Sequence, residues 1–234
     1  MYGELKTIET VNGNDVPGIP VEIRNPHKTA VLRLPTAEEV AAYTASIKTL
    51  TYRLGRGISR SETIPNRDAE RKLFETIRLD KSGEPFDEYE MQYAINIALF
   101  TETDPYEREG DEYVVGVKTP WGRTVHRCRM PLTREISAYR EGVIRSREMR
   151  HNTEEQRYPP DVPVAFYDAI IVSVEGYSPQ INVPVGTTNG ASHAFVGDEL
   201  KAFVSKIPPH HKRQVAAEVS GALYDLDPAI DPNA

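Results

Sequence analysis

The sequence predicts an α+β protein built from a tandem duplication of one unit, a β-hairpin followed by helices. Two alignments within the chain carry that reading. Val21-Glu-Ile-Arg-Asn-Pro26 matches Val115-Gly-Val-Lys-Thr-Pro120, an alternating run closed by proline, and Leu32-Arg-Leu-Pro35 matches Cys128-Arg-Met-Pro131. Glu39, Ala42 and Tyr43 then fall against Glu135, Ala138 and Tyr139, and Asp68, Phe74, Ile77 and Gly83 against Asp161, Tyr167, Ile170 and Gly176. The spacing moves from 94 to 96 to 93 along these blocks, and each change lies in an expected loop, where insertions are tolerated. The expected organisation is an extended arm over 1–20, a first unit over 21–110, a second over 111–225 with an inserted loop at 177–192, and a tail at 226–234.

The elements follow in order. Val21–Arg24 and Thr29–Leu34 alternate around Asn-Pro-His-Lys, a turn in which proline presets the backbone. In the second strand Ala30, Leu32 and Leu34 share the side expected to face a core. Thr36 and Glu39 form the sequence of a capping box. Val40, Tyr43, Ile47, Leu50 and Leu54 then continue at steps of three and four, which predicts one long helix. The second copy starts the same stripe with Ile136, Tyr139 and Val143 but has Ser146 and Arg150 at the far end, predicting an exposed or polar helix end there.

Gly55-Arg-Gly-Ile-Ser-Arg-Ser reads as a basic loop, and Asp68 is expected to cap a helix reaching Leu79, repeated from Asp161 to Val174. A third helix over Phe86–Phe100 is expected to bury Tyr89, Tyr93, Ile97 and Phe100. Helices over Asp198–Lys206 and Lys212–Tyr224 complete the chain.

Composition describes an ordinary globular protein, with 39% hydrophobic and 27% charged residues, long enough for two domains. The opening Met-Tyr-Gly-Glu-Leu-Lys lacks the apolar stretch of a signal peptide, and no run reaches membrane-spanning length, so the expected location is the cytoplasm. The one cysteine, Cys128, excludes an internal disulfide and reads as a core residue. Net charge is −7, divided unevenly: ten acidic residues against Arg108 alone between Glu84 and Glu112, then nine basic against three acidic between Lys118 and Arg150. Two such poles are expected to steer copies or partners together.

The convergent polar groups that an enzyme needs are few in this sequence. His210-His211 are adjacent on a predicted helix and diverge, and no His-Glu-x-x-His, Gly-x-Ser-x-Gly or phosphate-binding glycine pattern occurs. The acids Asp80, Glu84, Asp87, Glu88 and Glu90 lack the spacing of a calcium loop. The sequence is therefore read as a non-enzyme with no cofactor and no metal. Arg140, Arg145, Arg147, Arg150, His151 and Arg157 form a basic stretch, which supports an alternative reading as a nucleic-acid-associated accessory protein acting on phosphates. An enzyme with a site assembled from unconnected residues is the second alternative.

The segment Val31-Leu-Arg-Leu-Pro-Thr-Ala-Glu-Glu-Val-Ala-Ala-Tyr43, a strand leading through Pro-Thr into a capped helix, resembles the opening of small morphogenesis proteins of tailed bacteriophages, the tail assembly chaperone group above all. The pattern returns in part at Arg129–Tyr139. The resemblance implies a virion or tail-assembly protein that binds other phage structural proteins and itself, in the host cytoplasm or the particle. The residues expected to touch partners are Pro26, His27 and Trp121 at the hairpin tips, Arg123, Arg145, Arg147 and Arg150, and Tyr177 at the start of the inserted loop. Trp121 is the leading candidate, because a tryptophan exposed at a hairpin tip is a common interface anchor.

Overall fold

The computed structural model describes residues 6–11, 14–24, 27–55, 58–64, 66–80, 85–145, 147–150, 153–156, 161–177 and 193–226. Its elements are α+β, as expected. A three-stranded antiparallel sheet holds β1 (Lys6–Val11), β2 (Asn14–Arg24) and β3 (His27–Arg33) in that order. The expected extended arm over 1–20 is thus largely strand: residues 6–11 fold back on 14–18, pairing Lys6 with Gly18 and Ile8 with Val16. Ala30 and Leu32 are fully buried on β3, on the side that their alternation marks.

Helix α1 (Ala37–Ser46) starts at the capping box read from the sequence, with Thr36 Oγ1 accepting from the Glu39 N–H and Glu39 Oε2 accepting from the Thr36 N–H. It is shorter than its apolar stripe. Ile47 is the C-cap, and Leu50 and Leu54 belong to β4 (Lys48–Gly55), which pairs with β5 (Ile58–Ile64) where a basic loop was expected. Helix α2 (Arg67–Ile77) is capped by Asn66, two residues ahead of the expected Asp68, and α3 (Glu88–Ala98) by Asp87, with Glu90 completing a second capping box.

The corrections continue at α3. Its buried side is Glu90, Ala94, Ile95 and Ala98, whereas Tyr89 is 74% exposed, Tyr93 49% and Phe100 38%. The aromatic stripe expected to face the core faces outward.

A larger antiparallel sheet follows, ordered β13-β12-β9-β8-β6. It contains β6 (Glu102–Thr103), β8 (Glu112–Thr119), β9 (Gly122–Arg129), β12 (Ile171–Glu175) and β13 (Ala194–Val196), while β7 (Glu107–Glu109) also pairs with β8. Helix α4 (Thr133–Arg145) runs a few residues past the position aligned with the end of α1, and β10 (Arg147–Arg150) and β11 (Thr153–Gln156) replace the expected polar helix end. Helix α5 (Asp161–Ile170) is four residues shorter than expected, since Ile171–Glu175 form strand β12. The chain closes with α6 (Gly197–Phe203), a 3₁₀ turn at Val204–Lys206, and α7 (Pro209–Leu226).

One order of elements therefore occurs twice: hairpin, helix, hairpin, helix. The shared register extends to single bridges. Leu32 bridges Arg78 beside β3, and Cys128 pairs with Ile171 beside β9, at the aligned positions. The small hairpins meet in one four-stranded sheet, β10-β11-β4-β5, in which Thr153–Gln156 pair antiparallel with Thr49–Tyr52.

Two apolar clusters hold the fold. One packs β2 and β3 against α2 and α3 through Ile19, Val21, Leu32, Phe74, Ile77 and Ile95. The other packs β8, β9 and β12 against α5, α6 and α7 through Val115, Cys128, Phe166, Ile170, Val174 and Val219. Trp121 crosses between them: it lies at the β8–β9 turn, yet its ring is fully buried in the first cluster. Its indole N–H donates to the Ala98 carbonyl at 3.4 Å. The expected exposed anchor is an internal one. Position 121 is reached by a tight turn in which Thr119 Oγ1 accepts from the Trp121 N–H at 3.1 Å and donates to the Gly122 carbonyl at 2.9 Å. Gly122 supplies the positive φ of 139°.

Candidate functional site

Three arrangements have the geometry of sites: a pair of grooves, a buried polar chain, and the exposed face of α3. The grooves occupy aligned places. In the first half, Arg33 reaches Glu39 with Nη2 to Oε1 at 2.6 Å and Nη1 to Oε2 at 2.9 Å, and Nη1 also donates to the Leu34 carbonyl at 3.1 Å. In the second, Arg129 reaches Glu135 with 2.6 Å and 2.9 Å, and donates to the Met130 carbonyl at 3.1 Å. Both arginines go on to the second helix, Arg33 to the Thr76 carbonyl and Arg129 to the Ala169 carbonyl. A bidentate guanidinium–carboxylate pair thus ties strand end, helix start and neighbouring helix twice over.

Beside each clamp runs a groove between the two helices. The first, of about 370 Å³, is lined by Glu38, Glu39, Ala42, Tyr43, Ala69, Lys72, Leu73 and Thr76. The second, of about 210 Å³, is lined by Glu135, Ala138, Tyr139, Val162, Ala165, Phe166 and Ala169. The second is more apolar, because Ala165 and Ala169 stand where Lys72 and Thr76 stand in the first. Burial raises the Glu39 carboxyl, but the hydrogen bonds from Arg33 and Thr36 outweigh it and the net shift is downward. The Arg129 hydrogen bonds hold Glu135 down likewise.

The buried chain is a feature that the sequence reading missed. The Tyr167 hydroxyl lies 2.7 Å from His126 Nδ1, and His126 Nε2 lies 2.9 Å from Thr124 Oγ1. The Tyr177 ring stands edge-on to His126 with centroids 5.9 Å apart, and its hydroxyl lies 2.8 Å from His211 Nδ1. With a neutral imidazole, His126 donates from one ring nitrogen and accepts at the other, so Tyr167 and Thr124 take opposite roles toward it. His126 and His211 are fully buried, and burial holds both rings at a pKa of about 3. The mutual proximity of the two rings adds to the lowering at His126. His210 is also buried and lowered well below its usual value by desolvation, then by His211 and Arg213.

Four elements meet at these two groups: β9 through Thr124 and His126 bonds α5 through Tyr167, and the segment after β12 through Tyr177 bonds α7 through His211, with the His126 and Tyr177 rings in contact between them. Gly176 permits it. Its φ of +86° turns Tyr177 inward, and a Cβ there would stand 2.5 Å from the Arg123 carbonyl oxygen. Lys212 adds an ion pair from α7 to α5, with Nζ 2.7 Å from Asp168 Oδ1 and 5.7 Å from the centre of the Tyr167 ring. The basic helix start after Pro208-Pro209 is buried at His210, His211 and Lys212.

The residues expected to touch partners are dispersed. Trp121 and Tyr177 are core side chains, 0% and 1% exposed, which corrects their expected exposure. Arg123 is on the surface and pairs with Asp104 at 3.0 Å, alongside Lys118. Arg145 ends α4 and Arg147 and Arg150 lie on β10, so they do not form the expected continuous helix. His27 opens β3. The side chains of His27, Arg145, Arg147 and Arg150, together with Pro26 and residues 178–192, lie outside the described residues. The two expected charge poles partly neutralise each other, since Asp104 takes Lys118 and Arg123 and Glu109 takes Arg127. Cys128 is buried, as its strand position indicated, and burial pushes its thiol up to about 12.

Among the described residues, no three His, Cys, Asp or Glu side chains converge as a metal site requires, and no helix is long and apolar enough to cross a membrane. No protein-family model, curated protein or solved structure matches this chain. The reading of its function rests on its own geometry.

Proposed function

We propose that this chain is a non-enzymatic structural or assembly protein of a tailed bacteriophage, made of two related units and working by binding other virion or tail proteins. The observation that carries the reading is the outward face of α3, where Tyr89 and Tyr93 are exposed, with Phe100 exposed just past the helix end, while Ala94, Ile95 and Ala98 hold the helix to the core. Exposed aromatics aligned at helical spacing are the usual anchors of protein interfaces. The resemblance of Val31–Tyr43 to tail assembly chaperones supplies the class of partner, and those residues form the β3–α1 junction beside the first clamp. The paired clamps at Arg33–Glu39 and Arg129–Glu135 support a tandem duplication.

The test is co-purification of the tagged chain from phage-infected cells, with partners identified by mass spectrometry. Identified tail or virion proteins are expected with the wild type and are expected to be lost from a Tyr89→Ser/Tyr93→Ser variant. Recovery of the chain alone, or retention on DNA in place of protein, contradicts the proposal.

A further inference from the structure

The outward face of α3 reads the same from either end. Tyr89, Tyr93, Asn96 and Phe100 are all exposed and fall at steps of four, three and four, so Tyr89 and Phe100, like Tyr93 and Asn96, lie equally far from one midpoint. Phe100 follows directly on the last helical turn, where its N–H donates to the Ile97 carbonyl at 3.1 Å. On the opposite side Ala94, Ile95 and Ala98 fix the helix to the first apolar cluster. Steps of three and four are those of a seam between two helices, whose side chains interlock. A face that is symmetric about its midpoint is self-complementary, as a two-fold contact between identical chains requires.

Charge selects the direction of pairing. Arg67 stands over the Tyr89 ring, 5.5 Å from its centre, and shares Glu88 with Arg71, at 2.7 Å and 3.7 Å. Two guanidiniums with one carboxylate between them therefore flank the Tyr89 end. At the other end Glu102, two residues beyond Phe100, is exposed. Parallel helices would set Arg67 and Arg71 beside their own copies. Antiparallel helices set them toward Glu102 of the second copy, with Tyr89 across from Phe100 and the Tyr93 hydroxyl across from the Asn96 amide. A polar side chain within such a seam fixes its register.

We infer that two copies of this chain pair through α3, antiparallel, about a two-fold axis between Tyr93 and Asn96. The occupant of the face is a second copy of the chain. The inference rests on the reading of α3 as a binding surface and names what it binds, so that the paired chains are the form virion proteins meet. A chain that pairs through α3 yet captures no virion protein sinks the proposed function and leaves this inference; a chain that captures them as a monomer does the reverse.

Sedimentation of the full chain over a wide concentration range tests it. The wild type is expected to reach twice the 26.3 kDa chain mass. Tyr89→Ser/Tyr93→Ser is expected to stay at the single-chain mass, with association weakened about a hundredfold or more. Cysteine pairing reads the direction. Mild oxidation is expected to join an equimolar mixture of Tyr89→Cys and Phe100→Cys chains into a mixed dimer. Neither variant alone should join to itself, because each position and its own copy stand about 16 Å apart along antiparallel helices, beyond disulfide reach. Cys128 is buried and does not compete. Thermal unfolding of each variant shows that its fold is retained. A wild type at single-chain mass throughout, a folded serine variant that still pairs, a Tyr89→Cys chain that joins to itself, or a mixture that does not join overturns the inference.

Discussion

The indole N–H of Trp121 donates to the carbonyl oxygen of Ala98, so a hairpin tip from the second half of the chain is sealed into the core of the first. Both ends of that contact are buried. The second half of the chain therefore places a side chain in the cluster of the first, and the halves are expected to unfold together.

Replacing Trp121 by alanine removes a fully buried indole and leaves a cavity, at an expected cost of about 3–5 kcal/mol. Trp121→Phe keeps most of the volume and loses the long hydrogen bond, costing about 1–2 kcal/mol. Denaturant unfolding followed by circular dichroism measures both. Because Trp121 is the only tryptophan, its emission should also be blue-shifted and shielded from acrylamide in the native state. A red-shifted, readily quenched tryptophan contradicts the placement.

Acid should destabilise the chain through His126, His210 and His211. Their folded-state pKa values are depressed, to about 3 at His126 and His211, against about 6.5 when unfolded. The unfolded chain thus binds more protons below pH 6.5. The stability from keeping these rings neutral is fully present above that value and declines as pH falls toward about 3. Well inside that window His126 and His211 each contribute a slope of about 1.4 kcal/mol per pH unit, and His210 adds in the same direction. Urea unfolding at a series of pH values reads the slope, and His126→Gln should flatten it by about 1.4 kcal/mol per pH unit.

The clamps should be interchangeable in their energetics. Glu39→Ala and Glu135→Ala each remove an acceptor for a helix-start N–H and one partner of an arginine pair. A loss of about 1–2 kcal/mol is expected in both, similar in the two halves. A large cost at one and none at the other contradicts the equivalence of the two sites.

Gly176→Ala should be among the costliest small changes. Its φ of +86° is strained for any L side chain, and the new Cβ would press on the Arg123 carbonyl. A loss of about 2 kcal/mol or more is expected in thermal or chemical unfolding, with Tyr177 partly released.

What could be read from the sequence was local. The Thr36–Glu39 capping box, the alternation of Ala30 and Leu32 and the core position of Cys128 depend on neighbours a few residues away. Helix ends were overrun because Leu50 and Leu54 fit a helical stripe as well as the alternation of Lys48-Thr-Leu-Thr-Tyr-Arg-Leu, and a hairpin partner outside the window decides between them. The buried face of α3 was assigned to its bulky aromatics, whereas the close approach of the helix to β2 and β3 selects Ala94 and Ala98. Trp121 and the buried pairs His126–Tyr167 and Tyr177–His211 are hidden for a different reason. Their partners lie up to 85 residues away along the chain, between His126 and His211, and no local pattern marks such a contact.

Function by surface binding, and not by chemistry in the buried chain, is the central claim, and complementation of a phage deleted for this gene tests it most directly. Tyr89→Ser/Tyr93→Ser alters only exposed side chains, so it should keep the unfolding temperature of the wild type and fail to restore plaques. Tyr167→Phe removes the hydroxyl from the buried chain and should restore plaques with a modest loss of stability. The opposite outcome, a folded Tyr167→Phe that fails and an α3 variant that succeeds, would contradict the account.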